Sequence, residues 1–261
     1  FQGFGVQLNN LDTQLTRSAA SWRLKLDSDL VSGQITLPDA PGATIVATLQ
    51  RLQLPAQEPS SKHATAVTDP LATVDPRSIP AVDLSIAQVS HGIDVLGAWS
   101  LKARPNATGV RLSELNLDMK GLLVTGALTW QGAVGATRSS FNGRIGGKNL
   151  AEVLGAWGYA PSAVSESFRV KSDVQWPGSP AAFSMTDLSG TLDVRLKNGQ
   201  FLDVKGGSGA ALRVFGLLNF NSLGRRLRLD FNDLTDKGLS YDSVKGVLQG
   251  SNGNFFTTTP V

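Results

Sequence analysis

The sequence predicts a mostly β protein: an antiparallel sheet with one apolar and one wet face, joined by glycine turns and accompanied by two short helices. Three observations predict it. Apolar and polar residues alternate with a period of two in stretch after stretch, the pattern of strands half-buried in a sheet. Glycine is abundant, at 28 of 261 residues, as many tight turns require. Only two segments show the helical period instead.

The strands follow in order. Trp22, Leu24 and Leu26 alternate with Arg23, Lys25 and Asp27. Val82, Leu84 and Ile86 alternate with Asp83 and Ser85. Leu115, Leu117 and Met119 alternate with Asn116, Asp118 and Lys120. Leu122, Val124, Leu128 and Trp130 share a face opposite Thr125, Thr129 and Gln131. Phe168, Val170, Val174 and Trp176 oppose Arg169, Lys171, Asp173 and Gln175. Leu188, Leu192, Val194 and Leu196 oppose Thr191, Asp193, Arg195 and Lys197. Such clean alternation fits antiparallel pairing with one solvated face. Ala98-Trp99-Ser100-Leu101-Lys102 echoes Ser21-Trp22-Arg23-Leu24-Lys25, as stacked β units would.

The first helix is expected near 149–158. Asn149 can cap it, Glu152 stands three residues on, and Leu150, Val153, Leu154 and Trp157 fill one face. The second is expected near 208–221, where Leu212, Val214, Phe215, Leu217 and Leu218 make an apolar surface wider than one stripe. Residues 55–80 differ in kind. They hold five of the twelve Pro (Pro55, Pro59, Pro70, Pro76 and Pro80) and read as a long, mobile loop or linker. The domain reading is therefore a β-sheet segment at 1–54, the Pro-rich loop at 55–80, and a continuation of the sheet at 81–261. The chain starts and ends inside strand-like patterns, so it is expected to be an excised piece of a longer protein.

Composition excludes several chemistries. With no Cys there are no disulfides, thiolate metal sites or Cys nucleophiles. The net charge is only +3, and no basic run is interleaved with aromatics, so nucleic acid is not an expected partner. His63 lies in the Pro-rich loop and His91 precedes Gly92 at a turn; both read as surface or turn residues rather than an oriented catalytic imidazole. Carboxylates are scattered without an acid/base pair. No enzyme, metal or cofactor is expected. Gly206-Gly207-Ser208-Gly209 reads as a glycine turn with a Ser cap, and lacks the Lys-Ser/Thr of a phosphate loop. Arg225, Arg226 and Arg228 stand out as the only basic cluster along the sequence; they suit either pairing with Asp230 and Asp233 or contact with anionic headgroups.

An apolar sheet face usually packs on a second sheet. Two helices are few to cover roughly a dozen strands. Two solutions follow: a closed β-sandwich, acting as a structural or interaction domain, or a long curved sheet with an open apolar groove.

A linear pattern adds to this reading. Gly199-Gln200-Phe201-Leu202-Asp203-Val204, the glycine turn, Leu217-Leu218-Asn219, Arg225-Arg226-Leu227-Arg228-Leu229-Asp230-Phe231 and Lys237-Gly238-Leu239-Ser240-Tyr241-Asp242 follow one another. Upstream stand Leu154-Gly155-Ala156-Trp157-Gly158-Tyr159, Trp176-Pro177-Gly178-Ser179-Pro180 and Leu188-Ser189-Gly190-Thr191-Leu192. In this order the segments resemble the C-terminal region of the YhdP family, large AsmA-like proteins of the Gram-negative envelope. The resemblance implies stacked β units curving into a hydrophobic groove. It implies a periplasmic part of an inner-membrane-anchored protein reaching the outer membrane, with phospholipid as cargo. Trp22, Leu24, Leu26, Val124, Leu128, Trp130, Val170, Val174, Leu192 and Val194 are then the expected acyl-facing residues. Leu212, Phe215 and Leu218, with Arg225 and Arg226, are expected to touch the inner leaflet of the outer membrane.

Overall fold

A computed structural model describes residues 2–3, 6–7, 11–54, 69–160, 163–201 and 239–257. Its strands are β1 (Gln2–Gly3), β2 (Val6–Gln7), β3 (Asp12–Arg17), β4 (Ser21–Asp27), β5 (Val31–Pro38), β6 (Ile45–Leu54), β7 (Val82–His91), β8 (Asp94–Asn106), β9 (Gly109–Met119), β10 (Leu122–Ala133), β11 (Ala136–Lys148), β12 (Ala163–Pro177), β13 (Ser189–Phe201), β14 (Leu239–Ser251) and β15 (Asn254–Thr257). One α-helix, α1, spans Leu150–Ala156, and short 3-10 turns occupy Pro76–Ser78 and Pro180–Ala182. The expected helix at 208–221 lies outside the described residues.

β1 and β2 form a separate ribbon. The other thirteen strands form one sheet, ordered from β15 to β3, in which chain neighbours are sheet neighbours throughout. The described strands therefore do not divide into the two large sheets of a sandwich. Pairing is antiparallel from β3 to β6, from β7 to β9 and from β12 to β15. One seam departs from the expected pattern: β6 and β7 are parallel, with Leu49 opposite Ile86 and Leu52 opposite Val89. A tight turn cannot join parallel neighbours, because the chain must return to the starting end of the first strand. The segment after Leu54 makes that return, which gives the Pro-rich stretch a topological task.

The chain divides into two compact units. The first holds residues 1–120, 124–141 and 176–183, and the second 121–123, 142–175 and 184–261. In the first, Leu49, Ile86, Val89 and Leu96 form a buried cluster, with Leu52, Leu84 and Trp99 packed against it. The Trp99 indole donates to the Asp118 carbonyl at 2.9 Å, so its polar end is satisfied. At Gly33 the β5–β6 register shifts, and φ is +152°. An added Cβ there would stand 2.6 Å from both Leu49 Cα and the Thr48 carbonyl oxygen, so only glycine lets the two strands close.

The returning segment is fastened within the same unit. Ser179 donates to the Asp69 carboxylate through its hydroxyl at 2.6 Å and its amide at 2.9 Å, and the Leu71 amide adds a third bond at 2.9 Å. Burial pushes the Asp69 carboxyl up, but the donors from Ser179 and Leu71 outweigh it and hold the group below its ordinary value. The same turn is held by the Trp176 indole, which donates to the Ser179 carbonyl at 3.0 Å, and by Ser139 Oγ, which donates to the Gly178 carbonyl at 2.9 Å.

In the second unit, α1 packs on the sheet through Val153, buried with Ala163, Phe168, Leu196 and Phe201. Its start matches the expectation. Asn149 adopts a left-handed conformation that Asn tolerates, and its side chain accepts from the Glu152 amide at 3.3 Å. Its end is set by Gly158 at φ +77°, beyond which the Tyr159 amide returns to the Leu154 carbonyl at 2.9 Å. Tyr241 stacks on Phe201 at 4.9 Å and donates to the Val164 carbonyl at 3.0 Å; burial pushes its phenol up.

Candidate lipid-facing surfaces

Cross-strand register turns separate alternations into continuous apolar rows. In the first unit one row runs Leu15, Leu24, Ile35, Ala47, Leu84, Leu101 across β3 to β8. The next runs Leu26, Gly33, Leu49, Ile86, Trp99, Leu117 across β4 to β9. With strands about 4.8 Å apart, each row extends about 24 Å perpendicular to the strands. No polar side chain interrupts either one. Trp22 opposes Leu37 on the same face, 40% exposed, with the Arg17 guanidinium 4.8 Å above its ring.

The second unit repeats the arrangement. Phe168, Leu196 and Val244 form one apolar row and Val170, Val194 and Gly246 the next; a third, Ser172, Leu192 and Leu248, carries the buried Ser172 hydroxyl at one end. Helix α1 covers the Phe168–Leu196 level.

The ten expected acyl-facing residues thus fall on strands of the two units. Leu24, Leu26, Val124, Val170, Leu192 and Val194 are half-buried and Trp22 is exposed. Leu128, Trp130 and Val174 are buried within their own units. Val170 directly opposes Val194, and Leu192 sits one row on, so these three meet on one surface. Trp22, Leu24 and Leu26 line β4 together. The expected membrane-contacting residues Leu212, Phe215, Leu218, Arg225 and Arg226, and the Gly206–Gly209 turn, lie outside the described residues.

His63 lies outside the described residues, and His91 ends β7 opposite Leu54 and Asp94. No group of three His, Cys, Asp or Glu side chains stands close enough to hold a metal among the described residues. No helix among them is long and apolar enough to cross a membrane.

Sequence reasoning missed a feature of the wet face. Arg225, Arg226 and Arg228 stand out as the only basic cluster along the chain, but register builds another. Arg169 opposes Arg195, and Arg195 opposes Lys245. These residues are far apart in sequence, and their only shared signal is a polar position within a strand.

The intermembrane phospholipid transporter YhdP of Escherichia coli (strain K12) is 27% identical over 116 residues, covering 44% of this chain and 9% of that protein. The chain therefore matches a small part of its relative's length. No solved structure matches. The family model described as YhdP protein matches residues 1–261, and the chain belongs to the YhdP family.

Proposed function

We propose that this chain is a segment of a periplasmic, bridge-like lipid transport protein. It shields phospholipid acyl chains in a hydrophobic β-groove between the inner and outer membranes, without catalysis. The observation that carries this reading is the run of uninterrupted apolar rows lying across the strands. An acyl chain laid along such a row passes strand after strand without meeting a charge. Each exposed CH₂ costs about 0.8 kcal/mol in water, so a sixteen-carbon chain costs on the order of 12 kcal/mol to leave uncovered. A row of Leu, Ile and Trp offsets that cost. It makes no directional bonds to carbon, so the lipid can slide. The name of the Escherichia coli relative supports phospholipid as the cargo.

The acyl-facing residues in this reading are Trp22, Leu24, Leu26, Val124, Leu128 and Trp130 in one unit and Val170, Val174, Leu192 and Val194 in the other. Leu212, Phe215 and Leu218, with Arg225 and Arg226, would meet the outer membrane's inner leaflet.

Site-specific photocrosslinkers test this in cells. Probes at Leu24 and Leu192 should capture phospholipid, whereas probes at Arg23 and Lys25, on the reverse of β4, should not. Equal labelling at all four sites would sink the groove. In the same assay, Phe215→Ser with Leu218→Ser should leave groove labelling intact and reduce lipid delivery to the outer membrane. Unchanged delivery removes that segment from the reading.

A further inference from the structure

We infer that the wet face of the second unit is a docking surface for an anionic membrane, separate from the apolar rows on its other side. On this face Arg169, Arg195 and Lys245 stand directly opposite one another on β12, β13 and β14. Lys171 and Lys197 occupy the neighbouring levels. All five are exposed. Like charges placed directly opposite destabilise a sheet, so nothing in the fold explains the arrangement. Asp193 neutralises one member, lying 3.0 Å from the Arg195 guanidinium. Lys171 also acts on Asp193 through space. Arg169, Lys197 and Lys245 have no ion-pair partner among the described residues. Asp173 stands at the margin of the same face, opposite Thr191.

An apolar side chain completes the surface. Phe255 is buried opposite Gly250, so alternation turns Phe256 to the wet face, opposite Gln249, which in turn opposes Thr191 and then Asp173. Phe256 is 69% exposed, although strand pairing would place an ordinary polar residue there equally well.

The form of the surface decides its partner. The cations are exposed, a form that suits an extended partner better than one enclosed anion. They lie about 5 Å apart across the strands and about 7 Å apart along them. A leaflet of headgroup phosphates, which is an extended array of anions, meets all of them at once. Phe256 then inserts at the headgroup boundary, as aromatic side chains do beside basic residues.

Vesicle sedimentation of the intact 261-residue chain tests this. Phosphatidylcholine vesicles containing phosphatidylglycerol should bind the chain and pure phosphatidylcholine vesicles should bind it far less, with the difference shrinking as salt rises. Arg169→Gln, Lys197→Gln and Lys245→Gln together should weaken anionic-vesicle binding on the order of a hundredfold. Phe256→Ser should weaken it roughly tenfold. Arg169→Lys should keep it. All these side chains are exposed, so far-ultraviolet circular dichroism should stay unchanged and report any misfolding. Wild-type binding by the triple variant, equal binding to neutral vesicles, or capture of acidic peptides without vesicle binding would each overturn the inference. The groove is probed separately: Trp22→Asp with Leu24→Asp should retain vesicle binding, and its loss of bound lipid bears on the groove alone.

Discussion

Phe168→Ala is expected to remove about 3–5 kcal/mol of stability from the second unit, the range for truncating a buried Phe. Phe168 is buried against Val153, Ala163, Leu196 and Phe201, so its ring joins β12, β13 and α1 in one cluster. The loss reaches beyond the cavity. Helix α1 has seven residues, too few to persist on propensity alone, and it stays folded because Val153 and Leu150 have a floor to pack on. Chemical denaturation followed by near-ultraviolet circular dichroism measures the effect, and Phe168→Leu should retain most of the stability. A loss below about 1 kcal/mol for the Ala variant would show that the cluster does not hold α1.

Trp22→Asp combined with Leu24→Asp is expected to lower co-purifying phospholipid more than tenfold while the protein stays folded. Trp22 is 40% exposed and Leu24 half-buried, so neither replacement opens a deep cavity. The Arg17–Trp22 contact is lost, worth about 0.5–1 kcal/mol at an exposed site. The effect on cargo is larger. Two carboxylates now stand on a face that acyl chains would have to dry, and desolvating an unpaired charge costs several kcal/mol. Native mass spectrometry reads the lipid content and thermal unfolding reads the fold. Unchanged lipid content in a folded variant would remove β4 from the acyl path.

Much of the fold was legible because period-two alternation is a property of each strand alone. The segments at 22–26, 82–86, 115–119, 122–131, 168–176 and 188–196 lie in strands, apart from Leu188, which directly precedes β13. The Asn149–Glu152 spacing found α1 because a cap is local. Pairing is not local. Nothing in residues 45–54 or 82–91 says that they run parallel; that depends on where the intervening segment delivers the chain. The Asp69–Ser179 contact joins residues far apart in sequence, and the Arg169–Arg195–Lys245 row exists only through the register of three strands. Bulges hide more: the register shifts at Ser32/Gly33, Ile86/Val89 and Ser100/Lys102 reset which parity faces which side. The apolar rows were half legible, since the sequence shows which residues alternate but not that Leu49, Ile86 and Trp99 stand in line.

The parallel seam between β6 and β7 also governs the order of assembly. Hairpins such as β4–β5 and β8–β9 bring neighbouring residues together and close quickly, whereas β6 meets β7 only after residues 55–81 have looped back. Relative to a two-residue turn, closing that connection costs roughly 2 kcal/mol more chain entropy, enough to slow pairing on the order of thirtyfold. The β3–β6 meander and the strands from β7 onward are thus separate kinetic domains that zip together late. Pulsed hydrogen exchange should find the amides bridging Thr48, Leu49 and Ile86 protected after those inside the hairpins; simultaneous protection would mean that the seam nucleates with its neighbours. Until it closes, β6 and β7 each present an unpaired edge, so a nascent chain is most open to mispairing with another copy at this seam.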